Sequence, residues 1–312
     1  MMFKNSIKLL MSNFSSVWKL LLYKIIVVAI VTGLFCATLN YLATLTNINQ
    51  LSNNVLTFLA SCNFSTTPID ILTNLYNVVQ SVYFVSLEMI TTMPIIFAYI
   101  IVLLFVILPF LWHLSDVAVS ETLYGYMSSQ TKYGFTGAMV RKLNTASLYS
   151  LLFTFFVLPF NALFLLGFVN ILNLSTIGGI LLYFLPFLLI MFTILYFSLR
   201  TAFLSGWIPA IIVNNCNAAT GFKKGLKALL RRFFRVWSTS IVIVLAFLGF
   251  VSFFGSFGFV LALPITCLLI CIFGMVMFFE SQGMRYYVDM DTILTPKKLE
   301  ETDKINKLKY II

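Results

Sequence analysis

Residues 143–199 form a run of 57 residues without one charged side chain. At 1.5 Å per residue that is about 85 Å of helix, enough for two passes through a hydrocarbon core about 30 Å thick with a turn between them. A water-soluble domain has no use for such a stretch. The rest of the chain repeats the pattern, with 25–69 and 236–279 also uncharged. Apolar residues make up 61% and charged residues 10% of the 312, and mean hydropathy is +1.00. A soluble domain would be about a quarter charged. The fold class expected is an all-α integral membrane protein with six transmembrane helices arranged as three hairpins.

The crossings are placed near 21–45, 91–113, 148–172, 177–199, 238–254 and 259–279, all in one membrane domain spanning 1–288. The turns fall at 173–179 and at Gly255-Ser256-Phe257-Gly258, and Pro159 and Pro186 are expected to kink their helices. Residues 46–90 form an outer insertion rich in Asn, Ser and Thr, in which Thr67-Pro68 followed by Asp70 marks a helix start. Residues 200–213 are expected to leave the bilayer or lie along it. Residues 289–312 read as a charged cytoplasmic tail. The first apolar segment lacks a small-x-small cleavage site and is expected to be retained.

Charge tests this count independently. With a cytoplasmic N-terminus, the four cytoplasmic pieces hold 4, 3, 7 and 6 basic residues, which accounts for all 20 Lys and Arg. The positive-inside rule asks for that asymmetry. Both termini are then expected on the cytoplasmic side of the membrane.

Residues 220–237 read as an amphipathic helix lying on the cytoplasmic face, with Thr220 as N-cap. Phe222, Leu226, Leu229, Leu230, Phe233, Phe234 and Trp237 recur at helical spacing, opposite Lys224, Lys227, Arg231, Arg232 and Arg235, with Lys223 at the edge. Such a face suits the bilayer surface and its anionic lipids. A solvated helix of a cytoplasmic domain is the alternative. Nucleic acid is not an expected partner; a protein partner in the membrane is left open. Residues 8–18, KLLMSNFSSVW, align without gaps to 227–237, KALLRRFFRVW, with the Lys, one Leu, the Phe, the Val and the Trp identical. A surface helix feeding each odd-numbered crossing would account for it.

Asn214-Asn215, then Gly221-Phe222-x-x-Gly225-Leu226-Lys227-Ala228, Trp237 and an apolar run, followed by Tyr286-Tyr287-x-Asp289, resemble segments of bacterial six-helix membrane proteins. These are related to the membrane domain attached to glycerophosphodiester phosphodiesterases. The resemblance implies a helical fold and a bacterial inner membrane, and it implies no reaction.

Catalytic motifs are missing from the sequence. There is no Gly-rich phosphate loop, and the five cysteines (Cys36, Cys62, Cys216, Cys267 and Cys271) show neither metal spacing nor a disulfide framework. The one histidine, His113, shares a helix face with Asp116 and Glu121, a set that could bind a metal or move protons. Arg200 and Glu280 sit where the fourth and sixth crossings meet the cytoplasmic surface, and Arg200 is expected to pair with Glu280 or Asp116, or to meet a lipid phosphate. No charge falls in the middle of a predicted crossing, which argues against ion coupling. The expectation is a non-enzymatic accessory or assembly component of the cell envelope, without cofactor. The alternative is a transporter or flippase for a lipid-like or uncharged solute, distinguished by a polar cavity between helices. A membrane-embedded enzyme using His113, Asp116 and Glu121 ranks third.

Overall fold

The computed structural model describes residues 2–61, 68–128, 133–174, 181–230, 232–288 and 293–294. The chain is helical almost throughout. Helices α1 (Met2–Ser12), α2 (Ser15–Cys36), α3 (Leu39–Leu42), α4 (Ile48–Ser61), α5 (Pro68–Thr92) and α6 (Pro94–Val102) come first. A π-helical turn (Leu103–Ile107) then leads into α7 (Leu108–Met127), α8 (Phe135–Arg141), α9 (Leu143–Asn173) and α10 (Leu181–Leu204). Helices α11 (Trp207–Val213), α12 (Ala218–Leu230) and α13 (Phe233–Gln282) complete the helical set. Strand β1 (Tyr286–Tyr287) pairs antiparallel with β2 (Ile293–Leu294); the rest of the 289–312 tail lies outside the described residues.

Six segments among the described residues are long and apolar enough to cross a membrane: Ser15–Cys36, Pro94–Met127, Leu143–Asn173, Phe184–Val213, Phe233–Val251 and Val260–Gln282. The protein is therefore an all-α, multi-pass membrane protein by its helices. The first segment lies well N-terminal of the expected 21–45. A start at 21 leaves Lys24 near the water, whereas α2 carries Lys24 inside it, 3% exposed and paired with an acid. The helix ends where Thr38 Oγ1 donates to Phe35 O at 2.7 Å. The second segment begins at Pro94, which cannot continue α5 and sits at the first turn of α6. Pro109 likewise removes the N–H that Phe105 O would accept, and the π turn just before it absorbs the mismatch.

Two further expectations change. Helix α13 runs unbroken through Gly255-Ser256-Phe257-Gly258, where a hairpin turn is expected, and holds two crossing-length windows. Flanked by apolar residues, with no Pro, Asn or Asp to divert the backbone, these two glycines do not end a helix by themselves. The 220–237 helix is two pieces, because the chain turns at Arg232 between α12 and α13. Thr220 is no cap: α12 begins at Ala218, and Thr220 Oγ1 donates back to Asn217 O. The turn at 173–179 falls largely outside the described residues.

The aligned stretches 8–18 and 227–237 adopt the same local form. Each is the end of a short helix, a break, then the start of a long apolar helix: α1 to α2 breaks at Asn13–Phe14, and α12 to α13 at Arg232. Equivalent positions are buried in both, Leu10 with Leu229 and Val17 with Val236. Helices α8 and α9, joined at Lys142, repeat the arrangement.

The chain divides into two compact units. One comprises Val27–Pro109 and Thr154–Tyr196. In it α4 and α5 pack side by side, Asn54 Nδ2 donates to Ser81 Oγ at 2.5 Å, and Leu42, Leu45, Val85 and Met89 form an apolar knot. Glu88 clamps the start of α4, its carboxylate accepting from Thr46 N (2.7 Å), Thr46 Oγ1 (2.7 Å), Asn47 N (3.1 Å) and Asn47 Nδ2 (2.9 Å). Those bonds, the Thr46 hydroxyl first, hold the Glu88 carboxyl down at about 2. A depressed folded-state pKa contributes stability that is complete above the ordinary glutamate range and is lost as pH falls toward 2. Amide hydrogen exchange at Thr46 and Asn47, corrected for intrinsic rate, is therefore expected to stay slow down to about pH 4.5 and to quicken below it. Glu88→Gln should exchange faster at neutral pH and show no such step.

The other unit comprises Met1–Ile26, Phe110–Phe153 and Phe197–Ile312. Its core joins α1, the start of α2, α7 and the C-terminal half of α13, with Leu9, Leu20, Leu123, Met127, Ile272 and Phe273 all nearly inaccessible. Gly283, at φ 72°, ends α13 in the left-handed region that glycine adopts without strain. The chain then returns so that Tyr286 accepts from Asn5 Nδ2 and donates to Glu280 Oε1, each at 3.1 Å. Burial, then the Glu280 charge, pushes the Tyr286 phenol well above its ordinary value, so it stays a donor.

Candidate ligand cavity

Within this second unit, α7 is buried on every side beyond His113: Leu114, Val117, Ala118, Val119, Leu123 and Met127 are all inaccessible. Upstream, Ile101, Val102, Leu104 and Phe105 are exposed. His113 marks the change from a lipid-type surface to a protein interior, and its spacing from Asp116 brings the two together on one face.

His113 Nδ1 lies 2.6 Å from Asp116 Oδ2, and Lys24 Nζ lies 3.6 Å from Asp116 Oδ1, which Ser115 Oγ also reaches at 3.4 Å. Lys24 donates to Trp112 O as well and sits 4.2 Å from the centre of the Trp112 ring. A carboxylate paired with an ammonium only accepts, so His113 Nδ1 is the donor, and in the neutral imidazole Nε2 carries the lone pair. The charges are therefore compensated inside the protein, as buried charges must be.

Beside this cluster lies a cavity of about 260 Å³. His113, Asp116, Ser120, Tyr149, Arg200 and Ser205 supply its polar wall, and Phe153, Phe197, Ile208 and Ile270 much of the apolar remainder. One ring gathers the polar groups: Phe153 has His113 at 4.1 Å, Tyr149 at 5.5 Å and the Arg200 guanidinium at 5.9 Å. Tyr149, only 2% exposed, makes no hydrogen bond through its hydroxyl among the described residues. His113 Nε2 makes none either, and the buried Ser120 hydroxyl has no oxygen or nitrogen partner, only the weak Cys271 thiol beside it.

Helices α11 and α12 hold the frame. Trp207, Ile208, Ala210, Ile211 and Ile212 of α11 are buried, so this part of 200–213 packs into the protein. Gly206 faces Gly225 so closely that a Cβ on Gly225 would sit 2.4 Å from Gly206 O, and one on Gly274 would sit 2.3 Å from Ser205 O. Trp207 Nε1 donates to Ala218 O at 2.8 Å, and its ring meets Phe222 and Tyr149 edge-on.

The expected site residues sort as follows. His113 and Asp116 meet; Glu121 does not join them, its Oε1 lying 4.0 Å from Arg141 Nη1. No group of three metal-binding side chains forms among the described residues. Of the two partners weighed for Arg200, Asp116 shares its cavity, whereas Glu280 is met by Arg232 at 3.4 Å and by Tyr286. The apolar stripe of 220–237 is turned largely onto protein: Phe222 packs on Trp207, Leu226 and Leu229 enter the core, and Phe233 and Trp237 stack at 5.9 Å. Leu230 and Phe234 stay exposed, as do Lys223, Lys224, Lys227 and Arg235; Arg231 lies outside the described residues. Lys224 and Lys227 border a recess of about 250 Å³ with Asn214 and Gln282.

Sequence reasoning missed Lys24 and Tyr149. The signal for Lys24 was a lone cation followed by 45 uncharged residues, readable as an intramembrane charge needing an acid at the same depth. With Lys24 and Asp116 inside crossing-length helices, the argument against ion coupling from missing intramembrane charge no longer holds. No protein family, curated protein or solved structure matches the chain.

Proposed function

We propose that this protein binds and moves a lipid-like solute, with the cavity at His113, Tyr149 and Arg200 as its binding site. The observation that carries the reading is the cavity, whose apolar walls and cluster of polar side chains suit an amphiphile with a small head group. A tightly packed core would have favoured the accessory role instead. On this reading the protein sits in a bacterial cytoplasmic membrane with both termini inside, and α1, α8 and α12 lie at the inner surface. The partition of its basic residues supports that orientation. The exposed lysines of α12 are suited to anionic lipid. The dyad of His113 and Asp116 is assigned to ligand contact and to no covalent step.

The test is native mass spectrometry of the full chain purified from its membrane. The unaltered protein should retain a lipid-sized adduct that Thr201→Phe, which fills the cavity wall, no longer retains. A bare spectrum for the unaltered chain, or equal adducts in both, would overturn the reading.

A further inference from the structure

We infer that the cavity selects a lipid whose head group is a phosphate monoester, an inference that rests on the lipid-binding reading above. Arg200 brings a permanent cation with several N–H donors, and the Tyr149 hydroxyl can donate one more bond. As a neutral imidazole His113 brings the opposite, an acceptor: with Asp116 taking the proton on Nδ1, the Nε2 lone pair has no partner among the described residues. All three lie within 6 Å of the centre of the Phe153 ring.

The matching head group is anionic, rich in acceptor oxygens, and carries one hydroxyl proton to give to an imidazole. A fatty carboxylate and a phosphodiester each offer acceptors and charge but no proton. A phosphate monoester offers all three, since its second ionisation lies at roughly 6 and the monoanion keeps a P–O–H. If the dianion binds instead, the same proton resides on Nε2 and the hydrogen bond reverses direction without being lost. The apolar walls take the start of an acyl or prenyl chain.

The experiment measures binding of the purified full chain to dioleoyl phosphatidate, dioleoyl phosphatidylglycerol, oleate and glycerol 3-phosphate. Phosphatidate should bind at least about tenfold more tightly than the other two lipids, a margin equal to one hydrogen bond to a charged group. His113→Gln should shrink that preference to within about threefold, and Arg200→Gln should weaken all three anionic lipids by about tenfold or more. The selectivity of the unaltered chain decides the matter even if a variant fails to fold. Equal affinity for the three lipids, or a preference that survives His113→Gln, overturns the monoester assignment while leaving the lipid-binding reading in place. Glycerol 3-phosphate binding as tightly as phosphatidate overturns the lipid part. Binding of none of them overturns both.

Discussion

Gly225→Ala should lower the unfolding temperature of the detergent-purified protein more than alanine at any glycine of a lipid-facing helix stretch. The added methyl would stand 2.4 Å from Gly206 O and 2.6 Å from its carbonyl carbon, both backbone atoms. A side-chain clash is relieved by a rotamer change; here α11 and α12 must move apart, which undoes the burial of Trp207 against Phe222 and loosens the wall of the cavity. Overpacking costs about 1–3 kcal/mol where neighbours adjust, and an immovable backbone puts this case at or above the top of that range. Gly221→Ala should cost less, because its closest neighbour is Ile211 Cγ1, an atom that can swing away. Gly33→Ala and Gly249→Ala meet nothing within 4 Å; each should be neutral or gain about 0.5–1 kcal/mol from better helix propensity. Thermal unfolding followed by circular dichroism ranks all four. An unfolding temperature for Gly225→Ala at or above that of the unaltered chain would refute the close crossing.

That crossing shows where reading the sequence stops. The six apolar windows are legible because hydrocarbon imposes length and hydropathy whatever the helices touch. The joint between a short helix and a long one at 8–18 and 227–237 is legible too, since the same Lys, Phe, Val and Trp recur around both breaks. The recipient of an apolar face is not. Phe222, Leu226 and Leu229 give the stripe correctly, but a stripe fits a bilayer surface and a neighbouring helix equally well. The deciding residues are Gly221 and Gly225, which no hydropathy reading weighs and which let α11 approach. The pairing of His113 with Asp116 follows from three-residue spacing on one helix; that of Lys24 with Asp116 joins positions 92 residues apart and leaves no local trace. The boundary of the first crossing was displaced for the same reason, since a lysine reads as a helix end until its partner is seen.

Asp116→Asn should destabilise the protein by about 3–5 kcal/mol, the usual cost of removing one member of a buried ion pair. It leaves Lys24, 3% exposed, with a neutral amide in place of its counter-ion, beside the Trp112 carbonyl and the Trp112 and Tyr23 rings. Lys24→Met should cost less, because the carboxylate it abandons keeps His113 Nδ1 at 2.6 Å and Ser115 Oγ at 3.4 Å, and methionine fills the same channel. The double variant Lys24→Met with Asp116→Asn should then be more stable than Asp116→Asn alone, since no uncompensated charge remains and a hydrophobic replacement of a buried pair is commonly neutral. The unfolding temperatures of the three variants and the unaltered chain form a double-mutant cycle, and a coupling of about 1–3 kcal/mol is expected between the sites. Losses that simply add would mean that the two charges do not see each other. The cycle has a functional reading as well. In the double variant His113 faces an amide, which can present either its oxygen or its nitrogen to Nδ1, so the tautomer is no longer fixed. A protein that regains stability but loses discrimination between phosphatidate and phosphatidylglycerol would separate the two roles of Asp116: holding Lys24 inside the protein, and holding the lone pair of His113 toward the cavity.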